Sequence, residues 1–200
     1  MKEIRKIDLQ FRAEEQDNKM EIKGYAVVFN SPETYDYTEV IDEHALDNAD
    51  MSDVVLRYNH NDSFMVLART RNNSLKLNVD NTGLMMDATL QDDITEHRNI
   101  YNAIKSGLID KQSFAFTIDE DEYDYDTDTR TITKIGKLYD VSVVDQPFYN
   151  ATDVNIARGQ NDDFLEKRKQ LREEHEKELE EKQRQEELRK LKEEVLAKLG

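Results

Sequence analysis

The chain has 200 residues, room for one compact domain and an appendage, and 48 of them are Leu, Ile, Val or Phe, enough for part of the chain to bury a core. It contains no Cys, which excludes a disulfide scaffold, a cysteine nucleophile and thiolate zinc sites together. The net charge of −16 argues against nucleic acid and anionic membrane surfaces as partners, because affinity there comes from Lys and Arg displacing counterions, and it favours protein partners.

In chain order, Met1 to Asp17 is charged throughout and lacks the apolar stretch of a secretory signal, so the chain is expected to stay in the compartment where it is made. No apolar run approaches the roughly 20 residues that span a bilayer. Met20 to Phe29 alternates as a strand does, and Val54 to Tyr58 is strand-like. Leu75, Leu77 and Val79 line one face of a short strand, and Leu84, Met86, Ala88 and Leu90 line the next. Between them Asp80-Asn81-Thr82-Gly83 has hairpin-turn chemistry. The period then changes. Ile94, His97, Tyr101, Ile104 and Leu108 follow helical spacing, Asp93 with Glu96 resembles a capping box, and Gly107 is placed to end the helix.

From Ser113 to Ile118 the pattern alternates strictly, with Phe114, Phe116 and Ile118 on one side and Ser113, Ala115 and Thr117 on the other. Thr131 to Ile135 and Leu138 to Val144 supply two more strands. The expected fold is mainly β with embedded helices, an α+β chain built on a small antiparallel β-barrel over residues 1–160. Residues 161–200 are expected to be a long charged helical tail. From Asp162 onward there are 13 acidic and 11 basic side chains and no Pro, so the tail is nearly neutral and the front segment carries −14. The tail's apolar positions are too sparse for a continuous coiled-coil seam, while Glu178 with Lys182 and Glu186 with Lys190 sit at i,i+4. It is either a solvated helix or a segment that docks on a partner or a second copy.

Few residues carry candidate chemistry. Of the four His, His175 lies in the charged tail, His97 on the helix stripe and His44 in an acidic stretch. His60 differs, because it ends the strand-like run among Asn59, Asn61 and Asp62, where a rigid scaffold displays reactive groups. Ser113 is either a lining hydroxyl or a nucleophile awaiting a base. Asp140 interrupts an otherwise apolar strand, so it either faces water from an edge or is buried with a partner such as an imidazole. The acidic run Asp119 to Asp128 lacks the Gly and terminal Glu of a calcium loop in register and reads as a solvated hairpin extension. The six Gly are scattered singly, which leaves no phosphate-binding loop. No cofactor and no metal are expected.

Taken together, Gly24-Tyr25-Ala26-Val27-Val28-Phe29-Asn30, Asn59-His60, Leu67-Ala68-Arg69, Leu75-Lys76-Leu77 with Gly83-Leu84, Ser113-Phe114-Ala115-Phe116, Leu138 to Val144, and Pro147 to Thr152 ending at Arg158 resemble the prohead (capsid maturation) serine proteases of tailed phages. The match covers about residues 20 to 158 in the family's order. The resemblance implies a barrel like that of the herpesvirus assemblin proteases, with Ser113 as nucleophile, His60 as general base and Asp140 as the third member, where phage relatives commonly carry Glu; Asp145 is the alternative acid. Lys111-Gln112 and Ala115 stand where relatives often have Gly-Met and Gly, and Asp42-Glu43-His44 replaces a common Pro-Gly. The implied substrate is the scaffolding segment of the phage major capsid protein, cut inside the procapsid in the host cytoplasm, followed by self-cleavage, with a homo-oligomer as a further possibility. The rival readings are a catalytically inactive capsid assembly or scaffold protein and a metal-dependent hydrolase using His60 with Asp62.

Overall fold

The computed structural model describes residues 3–7, 12–16, 19–34, 36–145 and 158–199. The chain divides into two compact units, Met1–Ala157 and Arg158–Gly200. In the first unit the strands are β1 (Glu3–Ile7), β2 (Arg12–Gln16), β3 (Lys19–Val28), β4 (Glu33–Thr34), β5 (Thr38–Ile41), β6 (Val55–Tyr58), β7 (Ala68–Arg69), β8 (Leu75–Val79) and β9 (Gly83–Leu90), followed by helix α1 (Thr95–Lys105) and the long strands β10 (Lys111–Asp124) and β11 (Thr129–Val144). The second unit is the 42-residue helix α2 (Arg158–Leu199). The mainly β, α+β class holds.

The strands form two sheets. The smaller is antiparallel in the order β2-β3-β9-β8, and its central strands carry the alternation read in the sequence: Leu84, Met86, Ala88 and Leu90 are all buried. The turn joining β8 to β9 is tied by Asp80, whose carboxylate accepts the backbone N–H groups of Thr82 and Gly83 and the Tyr25 hydroxyl. Gly83 is required there, since a Cβ would lie 1.9 Å from the Val27 carbonyl oxygen on the paired strand.

β11 is the spine of the larger sheet. Along one edge it pairs with β10 throughout; along the other it pairs in parallel with β5 over Thr129–Ile132 and with β6 over Asp140–Val143. Asp50 bridges the gap between those two partners, its N–H donating to the Gly136 carbonyl and its carbonyl accepting from Leu138 N–H. The expected closed antiparallel barrel is therefore replaced by two sheets, the larger of mixed direction. Alternation sets which face of a strand is apolar, but closure and direction depend on which neighbour each edge finds. The core joins both sheets, with Phe114 and Phe116 fully buried and stacked at 4.8 Å; burial of such a side chain contributes roughly 1.5–3 kcal/mol.

Three local expectations are corrected. Thr131 to Ile135 and Leu138 to Val144 are one strand, because Gly136 leaves room for Asp119, whose Oδ1 would lie 2.3 Å from a Cβ at that position. The strict alternation from Ser113 to Ile118 is broken by register shifts after Ala115 and Thr117, and Gln112 through Phe116 are all buried. At α1 the N-cap is Ile94, with no side-chain cap, because its carbonyl accepts the Arg98 N–H and Asp93 falls one residue too early. His97, Tyr101 and Ile104 face the core as expected, and Gly107, at φ +74°, follows the helix end. Leu108 lies past that end and is exposed, while Ile109 is buried. The acidic run does extend the β10–β11 hairpin, closed by Asp124 accepting from the Asp126 N–H and the Thr127 hydroxyl. Within α2, Glu186 pairs with Lys190 at 3.1 Å, as the spacing predicts. The Pro147 to Thr152 stretch lies outside the described residues.

Candidate active site

The candidate residues come from three adjacent strands. Ser113 on β10 stands directly opposite Ser142 on β11, and Asp140 is two residues before Ser142, so the three share one face of the sheet. β6 runs parallel beside β11 and ends at Tyr58, in register with Val143, so the residues that follow it leave the pairing just past Ser142 and must turn back to reach Asp140. Asn59 and His60 then both adopt the left-handed conformation, at φ +52° each. Asn tolerates that region and His visits it less readily, so the turn must be held by its surroundings.

It is held by a clamp between strand ends. The Asn59 N–H donates to the Val143 carbonyl, and the Asn59 side chain and Asp145 exchange hydrogen bonds, Nδ2 to Oδ1 at 3.0 Å and the Asp145 N–H to Asn59 Oδ1 at 3.2 Å. Tyr58 donates its hydroxyl to Asp145 Oδ2 at 2.7 Å. That hydrogen bond, helped by burial and the carboxylate's charge, raises the phenol pKa above its ordinary value. Asp145, the alternative acid, is thus committed to the clamp.

His60 turns back over the sheet. Its Nδ1 lies 2.5 Å from Asp140 Oδ1 and its Nε2 2.7 Å from Ser113 Oγ. An ionised carboxylate only accepts, so Nδ1 carries the ring proton and donates it to Asp140, which leaves the Nε2 lone pair for the Ser113 hydroxyl. Ser113 and Asp140 are fully buried, and the His60 side chain is 11% exposed. The Ser142 hydroxyl, not singled out in the sequence, lies 3.0 Å from Asp140 Oδ1 and 3.1 Å from His60 Nδ1. Its i+2 spacing from Asp140 on a strand was the signal available.

Two other histidines of the first unit have partners of their own. Buried His97 has both ring nitrogens satisfied by backbone, Nδ1 accepting the Gln91 N–H and Nε2 donating to the Val66 carbonyl. His44 is exposed beside Glu43 and Asp47. Asp62, the carboxylate a metal-hydrolase reading would pair with His60, is instead 3.1 Å from Arg57. No group of three or more metal-ligating side chains occurs among the described residues.

An alcohol, an imidazole and a buried carboxylate hydrogen-bonded in series is the arrangement of a serine hydrolase: the imidazole can take the alcohol's proton while the carboxylate fixes its tautomer. The chain belongs to the caudovirus prohead serine protease family, whose model matches residues 7–167. No curated protein and no solved structure matches it. It is accordingly a serine protease of the phage prohead, a capsid maturation enzyme. Among the described residues no helix is long and apolar enough to cross a membrane.

Proposed function

We propose that Ser113 is the nucleophile, His60 the general base and Asp140 the orienting acid of an endopeptidase that removes the scaffolding segment of the phage major capsid protein inside the procapsid and then cuts itself. The observation that carries this reading is the unbroken hydrogen-bonded series Ser113, His60, Asp140, with heavy-atom separations of 2.7 and 2.5 Å. His60 Nε2 takes the Ser113 proton as Oγ attacks the scissile carbonyl, and the imidazolium formed is stabilised by the Asp140 carboxylate. The same proton is then delivered to the leaving amine, freeing one product and leaving an acyl-serine. Water, deprotonated by His60, hydrolyses that ester and restores the hydroxyl. The substrate assignment is supported by the family's prohead location.

The test is a gel of major capsid protein co-expressed with wild type, Ser113→Ala or His60→Ala. Wild type is expected to yield a shortened capsid band and a shortened form of itself; both variants should leave full-length bands, since losing the nucleophile or base costs about 10⁴–10⁶ in turnover. Identical full-length capsid bands from all three would favour an inactive assembly protein.

A further inference from the structure

The Ser142 hydroxyl sits at the junction of acid and base. It accepts the His60 backbone N–H at 3.3 Å, and it lies 3.0 Å from Asp140 Oδ1 and 3.1 Å from His60 Nδ1. Ser142 is fully buried, in register with Ser113 on one side and with Arg57 on the other. A hydroxyl has one proton to give. Nδ1 donates its own proton to Asp140 and has no lone pair free, so the Ser142 proton goes to the carboxylate.

On the catalytic reading given above, we propose that Ser142 is a positioning residue of this protease, its hydroxyl tying the carboxylate of Asp140 to the backbone of His60 and so setting both the place and the basicity of the imidazole. The two effects have separate physical origins. Accepting the His60 N–H helps hold a non-glycine residue at φ +52°, a backbone conformation that persists only where its surroundings fix it. Donating to Asp140 stabilises the ionised carboxylate, so less of its charge acts on the imidazole. Removing the hydroxyl therefore loosens the turn and lets Asp140 hold a proton on the ring more tightly. Among the described residues, the groups hydrogen-bonded to the ring are Ser113 from β10 and Asp140 and Ser142 from β11. Arg57 on β6 is the nearby cation in register, and its guanidinium is engaged by Asp62 and the Asn61 carbonyl.

The experiment is the rate at which a fluorophosphonate probe labels the full-length chain, measured from about pH 5 to pH 9, a range spanning the ordinary imidazole pKa, for wild type, Ser113→Ala and Ser142→Ala. The Ser142→Ala rate is expected to fall about 10- to 100-fold, the loss of one hydrogen bond to a charged group. The midpoint of its acid-side limb should rise, because Asp140 then holds the ring proton more tightly. Labelling at the wild-type rate overturns the proposal. So does slower labelling with the midpoint unmoved or lowered, which is what lost packing alone would give. The His60 imidazole titration followed by NMR in the Ser113→Ala background should show the same rise on adding Ser142→Ala, and its absence there also overturns the proposal. Wild type that fails to label, or Ser113→Ala that labels, refutes the nucleophile assignment instead, and the imidazole titration still decides the role of Ser142.

Discussion

A carboxylate with no exposed surface persists only where donors replace its lost water, and Asp140 has the His60 Nδ1–H and the Ser142 hydroxyl in that role. The pair is asymmetric in its consequences. His60 without Asp140 is still a base, but the charge that holds its proton on Nδ1 is gone. Asp140→Asn retains the size of the side chain and removes the charge. Its amide NH₂ can turn toward the ring and draw the tautomer that carries its proton on Nε2, which cannot accept from Ser113. The expected outcome is a fall of about 10⁴ in the rate of capsid-protein cleavage, with the circular dichroism spectrum unchanged. A loss of less than about tenfold, one decade in rate, would mean that another acid serves. The clamp formed by Asp145 with Tyr58 and Asn59 makes Asp145 a poor substitute.

At the scale of elements, one strand organises the site. β11 carries Asp140 and Ser142, supports Ser113 through β10, and lines up β6 so that His60 emerges on the same face. The division of its second edge between β5 and β6 is fixed at Asp50, whose carboxylate accepts from the Ser52 hydroxyl and N–H and lies 3.0 Å from Lys137 Nζ. These donors, those of Ser52 foremost, hold the Asp50 carboxyl well below the usual carboxylate range. A group depressed in the folded state contributes stability that is complete above its unfolded pKa, about 3.9, and is lost as pH falls toward the folded value. The urea midpoint of wild type should therefore drop between about pH 5 and pH 2 more steeply than that of Asp50→Asn; equal slopes would show that Asp50 contributes nothing to the acid transition. Much of this architecture was legible. The periodicity of β9, the helix at His97, Tyr101 and Ile104, and the oddity of Asp140 in an apolar run are local properties, and buried faces enforce them. Strand direction, the continuity of β11 through Gly136 and the bulges in β10 were not, because each depends on a neighbour distant in sequence. The left-handed pair Asn59 and His60 was hidden for the same reason: it is imposed by contacts with Val143, Ser142 and Asp145.

For the whole molecule, charge and chemistry are partitioned along the chain. Residues 1–161 hold 31 acidic and 17 basic side chains, whereas from Asp162 the balance is 13 to 11. Ser113, His60, Asp140 and Ser142 all belong to the first unit, and the Glu186–Lys190 and Arg189–Glu193 pairs of α2 are of the i,i+4 kind that supports a solvated helix by about 0.2–0.5 kcal/mol each. A 42-residue helix with so few apolar positions has little to bury on its own account, and truncation tests whether it docks on a partner during shell assembly. The family match ends at residue 167, which marks where a cut should spare the enzyme. A chain stopped after Arg168 is expected to label with a fluorophosphonate within about twofold of the full-length rate, a difference well under 1 kcal/mol, yet to be depleted from procapsids when co-expressed with the major capsid protein. Quantitative blotting of purified procapsids checks the second half of that prediction. Incorporation equal to full length would show that the tail is not the docking element, and loss of labelling would show that the catalytic unit extends into α2.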